Sequence, residues 1–188
     1  MTTTTAPATV ALALRRLYVV RFGFALIWAV VLFLTASSIG PVSATLLVIY
    51  PLFDVGAAVV DARSSRASRS APGLYVNIAI STIAAVGLAF AVTSGIPAVL
   101  RMWGTWAVVA GLVQLIVALR RRDLGGQWAM IASGATSTLA GTSFLLQAAT
   151  PHASLSNLAG YALLGGIFFL VSALRLGRNA GRSTGGNI

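Results

Sequence analysis

Four stretches of this chain carry no Asp, Glu, Lys or Arg: residues 22–53, 70–100, 102–119 and 124–174. A helix needs about 20 apolar residues to cross a bilayer, and only helices and closed barrels satisfy their backbone inside hydrocarbon. Three of the stretches are too long for one span. Each is broken by a cluster that favours a turn: Ser37-Ser38-Ile39-Gly40-Pro41, Thr93-Ser94-Gly95-Ile96-Pro97 and Ala149-Thr150-Pro151-His152. The sequence therefore predicts an all-α fold, a polytopic bundle of six transmembrane helices at about 17–37, 42–62, 74–94, 98–119, 128–148 and 155–175. A single membrane domain over 17–176 is expected between a disordered cytoplasmic leader, 1–16, and a flexible cytoplasmic tail, 177–188.

Composition removes the soluble alternatives. Only 9% of the residues are charged and mean hydropathy is +0.90, whereas a soluble domain carries about 25% charged residues. The expected surroundings are a lipid bilayer. The net charge of +10 is no sign of a nucleic-acid partner, because the arginines stand at the ends of the spans as topology signals do. There is no Cys, which excludes thiolate and disulfide chemistry. His152 stands alone and cannot form a histidine metal cluster. No phosphate-binding loop and no nucleophile–base set is present. No cofactor, no metal and no enzymatic activity are expected.

Charge also gives an orientation. Arg15, Arg16, Arg21, Arg63, Arg66, Arg69, Arg120, Arg121, Arg122, Arg175, Arg178 and Arg182 fall on one side of a six-helix arrangement, and only Arg101 falls on the other. The positive-inside rule then places both termini in the cytoplasm, in a bacterial inner membrane. Cleaving the first apolar stretch as a signal peptide would leave five helices and spoil this alternation.

The segment Gly111 to Arg120 aligns without gaps to Gly166 to Arg175, with half the positions identical. Each ends a pair of apolar helices joined by a Gly, Ser, Thr or Pro turn, and Pro41 with Arg63 fits the same scheme loosely. The chain thus reads as three tandem helical hairpins.

The run Leu100-Arg101-Met102-Trp103-Gly104-Thr105-Trp106-Ala107-Val108-Val109-Ala110-Gly111, followed by Ala118-Leu119-Arg120, resembles the HdeD-like acid-resistance membrane proteins. So does the last hairpin, with Trp128, Ser133-Gly134, Gly160-Tyr161-Ala162 and Gly166 to Arg175. The resemblance covers most of 17–178 and is best from Pro97 to Arg178. The first hairpin departs from it, and Tyr50-Pro51-Leu52-Phe53-Asp54 with Val60-Asp61-Ala62-Arg63 looks like an actinobacterial branch. The resemblance implies six short helices in the inner membrane and a link to acid or envelope stress, with no catalytic residues to carry over.

Asp54 is the residue that most demands an explanation. An ionisable group well inside a span is costly and must face the bundle interior. Three readings follow: an ion pair with Arg21, a proton relay with Asp61, two turns further along the same face, or a span boundary that leaves Asp54 at the interface. Asn77 and Gln114 fall in the same half of the membrane, so Asp54, Arg21, Asn77 and Gln114 form a candidate intramembrane polar cluster. As a binding site it would serve a small transporter or channel. Arg101 is expected to reach lipid phosphate or bind an anion, and His152 is a lone loop imidazole. Trp103 and Trp128 are expected at opposite interfaces. In helix 5, the rows Ser133, Ser137, Gly141 and Gly134, Thr138, Thr142 suit close helix packing, within the chain or in a homo-oligomer.

Overall fold

The computed structural model describes residues 5–64, 71–120, 122 and 127–184. They form α1 (Thr5–Leu34), α2 (Pro41–Ser64), α3 (Ala71–Ala91), α4 (Ile96–Arg120), α5 (Trp128–Gln147) and α6 (Ser156–Thr184), with one 3-10 turn at Val92–Ser94. All six are long and apolar enough to cross a membrane. The chain is a multi-pass integral membrane protein with an all-α, six-helix bundle.

The turns sit where the sequence places them, each with a local cause. Pro41 opens α2, where a missing N–H costs nothing. Ser43 Oγ accepts from the Gly40 N–H at 2.9 Å and closes that turn. Between α3 and α4 the chain reverses at Gly95, whose φ of 92° is a conformation that favours glycine. The Gly95 carbonyl then accepts the first helical bonds from Ala98 and Val99.

Two boundaries differ from expectation. α1 starts at Thr5 and α6 runs to Thr184, so residues 5–16 and 177–184 are helical rather than irregular. The two helices pack on one another. A Cβ at Gly177 would sit 3.2 Å from the Arg15 guanidinium. Gly177 and Arg15 thus meet where the two helices run past the expected boundaries.

The helices pack most extensively as α4 on α5, α6 on α1 and α2 on α3. The hairpins survive as connectivity, but the tight pairs are offset from them by one helix. Where α4 meets α5 the contact is backbone on backbone. A Cβ at Gly141 would lie 2.6 Å from the Gly104 carbonyl oxygen, and one at Gly111 would lie 2.8 Å from that of Gly134. The small face of α5 is thus used inside the chain, drawing Gly134, Thr138 and Gly141 from both rows read in the sequence. Ser137 instead accepts from the Tyr161 hydroxyl of α6 at 2.9 Å.

An aromatic group fills the centre of the arginine-poor half. Trp28 stacks on Trp103 with ring centroids 5.3 Å apart, and Tyr50 meets their edges at 4.7 and 5.4 Å. Trp28 Nε1 donates to the Leu46 carbonyl at 2.6 Å. Trp103 is fully buried, 0% exposed, and so is not an interfacial belt residue. It lies on the same inward face of α4 as Gly104, Ala107 and Gly111. Trp128, at 78% exposed, is on the surface of the bundle.

The glycine contact gives a direct test. Gly141→Ala should lower the melting temperature in detergent, because the two backbones must separate, at a cost of about 1–3 kcal/mol. Gly160→Ala, with nothing within 4 Å of the new carbon, should leave melting unchanged or slightly raised.

Candidate functional site

Asp54 and Arg21 are both deep. Asp54 lies six residues inside the span Pro41–Val60 and Arg21 nine residues inside Leu12–Leu34. At 1.5 Å per residue these are about 9 and 14 Å.

The two form an ion pair between Arg21 Nη2 and Asp54 Oδ1, with side chains only 14% and 16% exposed. The second carboxylate oxygen, Oδ2, accepts from Asn77 Nδ2 at 2.8 Å and from Ser81 Oγ at 2.9 Å. Ser81 Oγ in turn accepts from Trp106 Nε1 at 3.3 Å. An ionised carboxylate only accepts, so the Asn77 amide must present its NH2, and Ser81 must spend its single proton on Asp54. The Arg21 guanidinium also lies over the Phe169 ring, 4.2 Å from its centroid. That is a cation–π contact. Side chains from α1, α2, α3, α4 and α6 therefore meet around one carboxylate.

The repeat explains why the carboxylate sits there. In α4 the buried residues Trp103, Gly104, Ala107, Gly111 and Ala118 fall at the same spacing as Leu158, Ala159, Ala162, Gly166 and Ala173 in α6. Gly111 meets Gly134 of α5, and Gly166 meets Ala25 of α1. Counting back from Arg63 as from Arg120 and Arg175 places Asp54 at the glycine position of α2. The facing helices repeat too: Ala25, Trp28, Ala29 and Leu32 of α1 are spaced as Ser81, Ala84, Ala85 and Leu88 of α3. Ser81 thus stands where Ala25 stands, and Asn77 where Arg21 stands. Two helix crossings are closed by small side chains, and the third by a carboxylate with its donors.

Of the four residues expected in one cluster, the structure brings together Asp54, Arg21 and Asn77. Gln114 is not part of it. It lies three residues past Gly111, facing α5, where its Nε2 donates to the Met130 carbonyl at 3.3 Å. The tight α4–α5 contact turns it away from α2. Asp61 follows Asp54 on α2, but its side chain lies outside the described residues, as do those of Arg178 and Arg182. Arg66, Arg69, Arg121 and Asp123 are outside them altogether. Ser81, Trp106 and Phe169 are the residues that sequence reasoning missed. Ser81 carried a signal: it lies four residues, one helical turn, after Asn77.

No group of three or more His, Cys, Asp or Glu suited to a metal occurs among the described residues. No protein-family model matches the chain, and neither a curated protein nor a solved structure matches it.

The cluster predicts a sign pattern for mutants. Asp54→Ala leaves Arg21 buried without its partner and should cost about 3–5 kcal/mol of stability. The double variant Arg21→Met with Asp54→Ala should recover much of that loss, as read by melting in detergent and by abundance in membranes. If the double variant is as unstable as the single one, the pair does not hold the bundle.

Proposed function

We propose that this is a non-enzymatic membrane protein of the HdeD-like type that supports acid or envelope stress resistance in a bacterial inner membrane. Its deep ionisable groups serve to hold the bundle together. The observation that carries this reading is the occupancy of Asp54: both oxygens are taken by three side chains from two other helices. The stress role rests on the likeness of the Pro97–Arg178 region to that family. Orientation rests on the arginine count and puts both termini in the cytoplasm.

A transporter or channel for protons or a small solute, using Asp54, is the second reading. One observation favours it. The indole N–H of Trp103 is buried without a hydrogen-bond partner, against Tyr50, and a buried donor left unpaired asks for an explanation. A homo-oligomer through α5 would have to use the side that α4 leaves open, where Leu139 and Leu146 are 73% and 70% exposed.

A deletion strain should survive acid challenge less well than its parent and recover when the gene is restored. Equal survival would overturn the stress role. In the recovered strain, Asp54→Asn should lower abundance and survival together on the structural reading, because Arg21 loses its charged partner, whereas on the transport reading it abolishes survival at normal abundance. Topology reporters fused after Arg69, Arg122 and Arg182 should score cytoplasmic, and a reporter after Gly95 should score outside.

A further inference from the structure

The arginine-poor end of the bundle holds one more polar arrangement. A groove of about 390 Å³ runs between α3 and α4, with Ser94 and Arg101 at one end and Gly87, Phe90 and Met102 towards the membrane centre; Thr105 lines its edge. It is shallow and open to the surroundings along its length, so anything lying in it keeps one side exposed.

The groove has a floor made by one residue. A Cβ at Gly87 would lie 2.5 Å from Met102 Sδ, so the absence of a side chain lets the thioether lie flat across α3. Phe90, at 72% exposed, stands as one wall. The polar end collects positive charge. Among the described side chains the one acid is Asp54, and it is taken by Arg21. The start of α4 lies beside it and adds the positive end of a long helix dipole. Ser94 brings a hydroxyl donor to the same end.

A cation, a hydroxyl and a helix start at headgroup level, leading into an apolar trough about seven residues deep, match an amphiphile with an anionic head. We propose that this groove binds one phospholipid of the adjacent leaflet. Arg101 and Ser94 hold its phosphate, and an acyl chain lies in the trough across Gly87 and Met102 against Phe90. Ordinary boundary lipid would need neither the lone arginine nor the trough. Any polar headgroup beyond the phosphate points to water. The inference is independent of the stress role, because it rests on residues that the Asp54 cluster does not use.

The test is native mass spectrometry of the full chain released from detergent micelles and titrated with dioleoyl phosphatidylglycerol. The wild type should retain one lipid. Arg101→Gln should weaken retention about tenfold, the loss expected for one hydrogen-bonded charge. Gly87→Leu should weaken it similarly by filling the trough. Thr105→Phe fills the trough from its exposed edge and replaces Gly87→Leu should that variant fail to melt cooperatively. Arg63→Gln, at the other end, should leave retention unchanged. Retention at wild-type strength in Arg101→Gln, or in the trough-filling variant that folds, overturns the proposal. So does protection against melting by inorganic phosphate equal to that by the lipid, because a free anion would then suffice.

Discussion

In a bilayer, apolar surface gains little by leaving lipid for protein, so helices must be held by close backbone approach and by polar bonds. This constraint shapes the whole bundle. Individually its helices are unremarkable apolar segments, and the exposed Ile27, Phe33, Ile83, Phe90 and Leu139 could face lipid in many arrangements. What selects one arrangement is what happens where helices cross. At α4–α5, glycines bring backbone against backbone. At α6–α1, Gly166 meets Ala25. At α2–α3, Asp54 meets Ser81 and Asn77.

The third crossing is of a different physical kind. Glycine contacts are short-ranged and tolerate sliding along the helix axis in small steps. A carboxylate held by three donors from two other helices fixes depth and rotation together. It also carries a risk that glycine does not, since loss of any donor leaves charge in a medium that solvates it poorly. The contact of Arg21 with Phe169 spreads that dependence to α6, and the bond from Trp106 to Ser81 spreads it to α4. One ordered carboxylate thereby orients the two glycine-closed pairs relative to the third.

Helix number, turn positions and the depth of Asp54 were legible in the sequence because they follow from charge spacing and turn chemistry, which are local. The pairing of Asp54 with Arg21 was legible because membrane charges have few partners to choose from. The ends of α1 and α6 were misread because Thr, Ala, Gly and Arg near the termini look polar, and their mutual packing is not local. Gln114 was misplaced for a related reason: its depth was readable, but its direction depended on which neighbour α4 approaches most closely. The same ignorance put Trp103 at the interface. Depth comes from hydropathy, whereas rotation about the helix axis comes from contacts such as Gly104 on Gly141.

The tight pairs are joined by the 65–70 connection, by the 121–127 connection and, for α6 with α1, by no connection at all. In contact terms the helices therefore form a ring, α1 on α2, α2 on α3 and so on round to α6 on α1. The order in which the helices are synthesised is then separable from the order in which they pack. A chain joined end to end through a short linker and reopened within either loop would present the same crossings, the same arginine side and the same Asp54 cluster. Its three hairpins could be inserted in a rotated sequence without any new contact having to form.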